Sequence, residues 1–234
     1  MATDFVKRSP NIEDKVCLVT GGAAGVGAGV VRALLSENAR HVTFLDIAVR
    51  EGASLELELT TKFGALRAKF IECDVSDDEQ LSAAYNKVLE KYRRLDVVIN
   101  NAAVLSVCGH GFKRMIDVNF TGTVYSTVKA MDAMGVDKGG VGGTVVNISS
   151  LLALNLGSHL PSEECYKRTQ VRVLTVCLGP TDTAILQRVA SAVNGIIQAI
   201  NQGASGSTWI VENDKPAYDF SEKIAGAFQI LSKT

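Results

Sequence analysis

KVCLVTGGAAGVG, residues 15–27, decides the fold. Lys15–Thr20 is a short apolar, β-branched run and reads as a strand. It breaks into glycines at 21, 22, 25 and 27, and Ala28–Glu37 then carries a helical pattern. Three of these glycines have separate duties. Gly21 allows a tight turn, Gly25 lets the backbone approach a pyrophosphate without a Cβ in the way, and Gly27 lets the helix pack close on the strand. Val26 lies between the last two, at a helix N-terminus that offers unpaired amides and a positive dipole end to phosphates. Glycines alone are a weak signal, but here a strand precedes them and a helix follows, as a dinucleotide-binding turn requires.

Outward from this turn, strand-like and helical stretches alternate. His41–Asp46 reads as a second strand, followed by a helical stretch to about Phe63. Ala68–Asp74 is a third strand. Ser76 then opens a helix to about Tyr92, with Glu79 as its capping-box partner. Leu95–Asn100 is a fourth strand, Phe112–Met134 a helix and Gly143–Ser149 a fifth strand. The glycine-rich stretch Gly135–Gly143 between them reads as a loop. Val171–Leu178 is a sixth strand, Arg188–Ile200 a helix, and Trp209–Val211 a candidate seventh strand, with Trp209 as core packing. The tail, Phe220–Thr234, has a helical pattern. The strands are continuous apolar runs, as in a parallel sheet covered on both faces. The expected fold is α/β, a Rossmann-type doubly wound parallel sheet, with residues 1–234 forming a single domain.

Asp46 ends the second strand, about 20 residues past the glycines, where a carboxylate binds the adenosine ribose hydroxyls and repels a 2′-phosphate. No arginine directly follows it; Arg50 is the nearest. NAD is therefore expected over NADP, the alternative role for Asp46 being a helix N-cap.

Composition excludes other classes. A net charge of -1 gives no basic excess for nucleic acid or an acidic membrane. No apolar run reaches the roughly 20 residues that span a bilayer, and Met1–Lys15 lacks the apolar core of a signal peptide. Cys17, Cys73, Cys108, Cys165 and Cys177 are odd in number and form no CxxC pair, so they read as buried free thiols in a reducing, cytoplasmic setting. His41, His110 and His159 share no metal-ligand spacing and read as surface or loop histidines; no metal site is expected. Lys113 and Arg114, early in a helix, read as solvated.

The glycine turn has the spacing TGxxxGxG, and further stretches join it in order along the chain. The sequence resembles the short-chain dehydrogenases/reductases, in particular the branch of the insect alcohol dehydrogenases and 15-hydroxyprostaglandin dehydrogenase. Asp74-Val75 matches the family's adenine-contacting pair. Asn100-Asn101-Ala102-Ala103 matches its NNAG motif, with Ala103 in place of glycine. Asn119 matches the catalytic asparagine, and Ser150 the catalytic serine, since Leu-Leu-Ala follows it. Gly179, Thr181 and Thr183 lie in a segment that resembles the one holding the nicotinamide carboxamide, with Leu178 replacing the usual proline. The resemblance implies an NAD-dependent oxidoreductase acting on a small-molecule alcohol, ketone or hydroxy-lipid, and a homodimer or homotetramer.

One family element is missing. The family's tyrosine is the base, and a lysine one helical turn later lowers its pKa. The tyrosine is due near Glu163, but the text there is Glu163-Glu164-Cys165-Tyr166-Lys167. Tyr166 and Lys167 are adjacent and so point about 100° apart on a helix. Glu163–Gln170 reads as the last turns of the family helix, with apparent gaps near 161–163 and at the substrate lid near 185–187. Either the chain is shortened here, or the native protein carries segments that these 234 residues omit. A shortened sheet would lose cover, at roughly 1.5–3 kcal/mol per large side chain. That is a large part of a total stability of about 5–15 kcal/mol. The alternative function is a catalytically inactive NAD-binding member acting in binding or storage.

Overall fold

The computed structural model describes residues 11–105, 111–150, 162–178, 186–212 and 215–231. Their strands are β1 (Val16–Thr20), β2 (His41–Asp46), β3 (Ala68–Glu72), β4 (Val97–Asn100), β5 (Gly143–Ser150), β6 (Val171–Leu178), β7 (Thr208–Val211) and β8 (Tyr218–Asp219). They form one sheet in the order β3-β2-β1-β4-β5-β6-β7-β8. Every pairing is parallel except that of β8 with β7. This is the doubly wound α/β sheet the apolar runs predict, with an antiparallel edge they do not.

Alternation along each strand sends side chains to opposite faces. Cys17, Val19 and Phe44 pack with Leu34 of α1 (Gly25–Ser36), Leu55 of α2 (Val49–Phe63) and Ile196 of α7 (Leu186–Gln202). Val16, Leu18 and Leu45 pack on the other face with Leu81 of α3 (Asp78–Tyr92) and Met134 of α5 (Thr123–Met134). With a helix layer on each side, all of β1 and β4 is buried. The chain winds outward from β1 to β3 and returns to β4 beside β1. That reversal opens a crevice at the C-terminal ends of β1 and β4.

Several local features depart from the sequence reading. Helix α1 begins at Gly25, inside the glycine motif. The N-cap of α3 is Asp77, whose carboxylate accepts from the amides of Glu79 and Gln80 at 3.0 Å each. Ser76 is not the cap, because its hydroxyl donates to Asp74 instead. The single helix expected over 112–134 is α4 (Phe112–Ile116), a π-helical turn (Asp117–Gly122) and α5. Phe112, Ile116, Phe120, Val124 and Val128 recur every fourth residue along it and are exposed. A 3₁₀ turn, Val136–Lys138, lies inside the expected loop. The last helices are α6 (Ser162–Thr169), α7 and α8 (Ser221–Leu231). Trp209 is 5% exposed and donates to Ser207 Oγ at 3.0 Å.

His41 is not on the surface. It is 1% exposed, because β2 is covered on both faces. Its Nδ1 is 2.6 Å from the Leu66 carbonyl and 2.8 Å from the Tyr92 hydroxyl, and its Nε2 is 3.0 Å from Thr43 Oγ1. Its ring stacks on Tyr92 with centroids 4.3 Å apart. Burial pushes the imidazole down to about 4. His110 and His159 lie outside the described residues.

Cys17, Cys73 and Cys177 are buried free thiols. Burial drives all three up, Cys73 to about 12 and Cys177 to about 11, so they are unreactive. Cys108 and the Cys165 side chain lie outside what the structure describes. Among the described residues no helix is long and apolar enough to cross a membrane.

The two outer strands are blunted. On β3 the Phe70 amide donates to Glu56 Oε2 of α2 at 3.1 Å, and Lys69 pairs with the same carboxylate at 3.0 Å. At the other edge β8 is two residues long.

Candidate functional site

The glycine turn has a shape that side chains would destroy. Gly21 has φ +63°, and a Cβ on it would lie 2.7 Å from Ala102 Cα. Gly25 has φ +54°. A Cβ on Gly27 would lie 2.0 Å from the Gly21 carbonyl oxygen and 2.6 Å from Asn101 Nδ2. Gly22 is required as well, since its Cβ would meet Phe44 Cβ at 2.6 Å. The doubled glycine was the only sign of this in the sequence.

The turn is locked to the exit of β4. Thr20 Oγ1 accepts from the amides of Asn101 and Ala102 at 3.1 Å each. Asn101 Nδ2 donates to the carbonyls of Gly21 at 2.9 Å and Thr20 at 3.2 Å. Thr20 is the last residue of β1, and nothing in the sequence shows that its hydroxyl meets the exit of β4. Below this lock, buried Asn100 donates to Asn147 Oδ1 at 2.8 Å and accepts from Ser126 Oγ at 2.6 Å. That fixes β4 to β5 and α5.

A dinucleotide fits this turn. Ala24, the N-cap of α1, is extended and gives no side-chain cap. The first intrahelical bond runs from the Ala28 amide to the Ala24 carbonyl at 3.1 Å. The amides of Gly25, Val26 and Gly27 precede it, at the positive end of the helix, where a diphosphate is the matching ligand.

Asp46 stands over the same loop. Its Oδ2 accepts from the Ala23 amide and its Oδ1 from the Ala48 amide, each at 3.0 Å. It is not a helix N-cap, since α2 is capped by Ala48 without a side-chain bond. Each carboxylate oxygen keeps accepting capacity for a sugar diol.

Asp74 follows β3 on the same edge of the sheet. Its Oδ1 accepts from the Ser76 amide at 3.0 Å and the Ser76 hydroxyl at 2.7 Å. Its Oδ2 lies 2.7 Å from an Arg114 nitrogen. Burial alone would raise this carboxyl, but Arg114 and Ser76 together hold it below the usual range. Arg114 is therefore engaged rather than merely solvated. Lys113 is exposed and pairs with Asp117 at 2.6 Å. Val75 is buried, and its carbonyl oxygen would lie 2.7 Å from a Cβ on Gly122, so the π-helical turn packs against it.

Asn119 lies in that π-helical turn. Its Oδ1 accepts from the Val104 amide at 2.8 Å, and its Nδ2 donates to the Val104 carbonyl at 2.9 Å. This two-bond clamp holds the segment Asn101–Leu105, which includes Ala102 and Ala103, against the helix. π-Helical turns concentrate at functional sites. Ser150 ends β5, paired in register with Leu178 of β6. Its side chain, and Gly179, Thr181 and Thr183, lie outside the described residues.

Tyr166 and Lys167 are elsewhere. They belong to α6, which ends at Thr169, and Val171 pairs in register with Gly143, the first residue of β5. Ser150 is the last residue of that strand, seven residues on, or roughly 23 Å at about 3.3 Å per residue. Tyr166 and Lys167 therefore sit near the N-terminal ends of β5 and β6, the end of the sheet opposite the crevice. Among the described residues, no three His, Cys, Asp or Glu side chains gather as metal ligands.

The family model described as short chain dehydrogenase matches residues 15–162. The 15-hydroxyprostaglandin dehydrogenase [NAD(+)] of Macaca fascicularis is 30% identical over 201 residues, covering 79% of this chain and 74% of the relative. Since 79% of 234 residues is about 185, about 16 of the 201 aligned positions have no residue of this chain opposite them. A 3-alpha-(or 20-beta)-hydroxysteroid dehydrogenase of Mycobacterium tuberculosis is 35% identical over 149 residues, covering 60% of this chain and 53% of the relative. Among solved structures, a short-chain dehydrogenase/reductase from Serratia marcescens superposes with a TM-score of 0.70 at 18% identity, covering 86% of this chain and 98% of that one. A metagenomic blue fluorescent protein in complex with NADPH gives a TM-score of 0.70 at 20% identity, covering 87% and 98%. At these identities the two structures speak to the fold alone.

Proposed function

The chain belongs to the short-chain dehydrogenase family, and from that premise we propose that it is an NAD-dependent oxidoreductase, one domain over residues 1–234, acting on a small secondary alcohol, ketone or hydroxy-lipid. The observation that carries this reading is Asp46 bonded to the glycine loop through the Ala23 amide at 3.0 Å. A carboxylate fixed there accepts from a ribose diol and repels a 2′-phosphate, which favours NAD over NADP.

In this reading the amides of Gly25, Val26 and Gly27 bind the diphosphate, and Gly21 leaves it room. Asp74 and Val75 meet the adenine. Asn101, Ala102 and Ala103 line the path toward the nicotinamide, whose carboxamide falls to Gly179, Thr181 and Thr183. When bound, NAD would supply the hydride acceptor for the substrate carbon, and on this reading the base that takes the hydroxyl proton is the family's Tyr-Lys pair, carried by a segment that these 234 residues omit. Ser150 holds the substrate oxygen by a hydrogen bond, and Asn119 holds a water for the proton relay while bracing Val104.

A second reading is NAD binding without turnover. The location of Tyr166 and Lys167 on α6, which leads into β6 beside Gly143 at the end of β5 remote from Ser150, favours it. From that end of the sheet neither side chain is within hydrogen-bond reach of a hydroxyl held at Ser150. The roughly 16 unmatched positions in the alignment with the macaque relative are in keeping with a chain shorter than that relative over the aligned span.

Calorimetry with NAD and NADP, intact mass and an NADH absorbance assay over secondary alcohols test both readings. NAD binding at least about tenfold tighter than NADP is expected. Alcohol-dependent NADH formation supports the dehydrogenase. Binding without turnover at a mass of 24.9 kDa supports the second reading. Failure to bind either nicotinamide dinucleotide overturns both.

A further inference from the structure

Arg114 projects from α4 to the loop after β3 and closes a triangle there. One guanidinium nitrogen is 2.7 Å from Asp74 Oδ2, and another donates to Ser76 Oγ at 2.5 Å. The same Ser76 hydroxyl donates to Asp74 Oδ1 at 2.7 Å. The Ser76 amide adds a bond to Oδ1 at 3.0 Å, and the Asp74 amide donates to Gln80 Oε1 at 3.0 Å. Donors from two elements therefore fix both carboxylate oxygens, one from the loop before α3 and one from α4. A carboxylate that can rotate spreads its lone pairs over many directions. One gripped by a planar guanidinium presents its remaining lone pairs in a single direction.

We propose that Arg114 is a positioning residue for adenine recognition, holding Asp74 in the orientation in which it accepts a hydrogen bond from the 6-amino group of the cofactor's adenine. This rests on the reading of Asp74 as the adenine contact. The arginine also ties the adenine end of the crevice to the helical run that carries Asn119. A lysine would keep the charge but, with a single nitrogen on a flexible stem, would not hold Asp74 and Ser76 in the fixed planar fork that the guanidinium sets.

The test is calorimetry with NAD and with nicotinamide hypoxanthine dinucleotide, in which a 6-oxo group replaces the 6-amino group. The native protein is expected to prefer NAD by about tenfold, the worth of one good hydrogen bond to a charged group. Arg114→Met should narrow that preference to about twofold, and Arg114→Lys should give an intermediate value. If Arg114→Met weakens both dinucleotides equally and leaves the preference intact, the arginine is only structural and the proposal fails. Asp74→Ala separates the two ideas: if it keeps the native preference, Asp74 is not the adenine contact. Should Arg114→Met fail to melt cooperatively, Arg114→Lys carries the test, and a native preference in it overturns the proposal.

Discussion

Lowering the pH should weaken this fold through His41 before the carboxylates begin to matter. The imidazole is buried with both nitrogens engaged, and it falls from 6.5 to about 4. Burial is the largest cause, opposed by the bond to the Leu66 carbonyl and assisted by nearby Lys91 and Arg67. A group whose folded value lies below its unfolded value contributes its stability above the unfolded value. That contribution is lost as pH falls toward the folded value. Here the window runs from 6.5 down to about 4, and at about 1.36 kcal/mol per pH unit the full effect is on the order of 3 kcal/mol. Between pH 6.5 and pH 5, before most carboxylates take up protons, the loss should be about 2 kcal/mol. Urea unfolding at half-unit pH steps measures it. His41→Gln, which cannot titrate, should start less stable but lose about 2 kcal/mol less over the same interval. Equal slopes for the two proteins would refute the assignment, as would an imidazole resonance of His41 titrating near its ordinary value.

Two further outcomes concern the crevice. Gly27→Ala places a methyl 2.0 Å from the Gly21 carbonyl oxygen, so the turn must open by more than an ångström. Overpacking of this kind costs about 1–3 kcal/mol, and NAD affinity in calorimetry should fall at least about tenfold. Tyr166→Phe, by contrast, should leave NAD affinity and any dehydrogenase turnover unchanged, because α6 ends at the N-terminal end of the strands, away from the crevice. A rate loss of about tenfold would instead bring Tyr166 to the reacting hydroxyl.

The strands were legible because helices cover the sheet on both sides, so each strand is written as an unbroken apolar run. For His41–Asp46 and Val171–Leu178 the apolar run and the strand coincide to the residue. The glycine turn was legible because its backbone leaves no room for a Cβ. β8 was not legible, since two residues leave no pattern. Contacts across the fold were also out of reach. That Thr20 would bind two amides of the β4 exit, or that Arg114 would turn from solvent to Asp74, depends on which helix end meets which loop. The burial of His41 was not legible, since a single polar letter inside a buried strand looks the same as one at its rim. Ser76 was misread as a cap because its hydroxyl had a nearer acceptor in Asp74.

The outermost strands also bear on how copies of this chain meet. A bare ladder of amides and carbonyls invites any passing extended segment to dock and lengthen the sheet. On β3, Glu56 already occupies the Phe70 amide and Lys69 adds a cation, while β8 offers only two residues. Fibril-like stacking through sheet rims is therefore disfavoured, and self-association, where it occurs, is steered to helical surfaces.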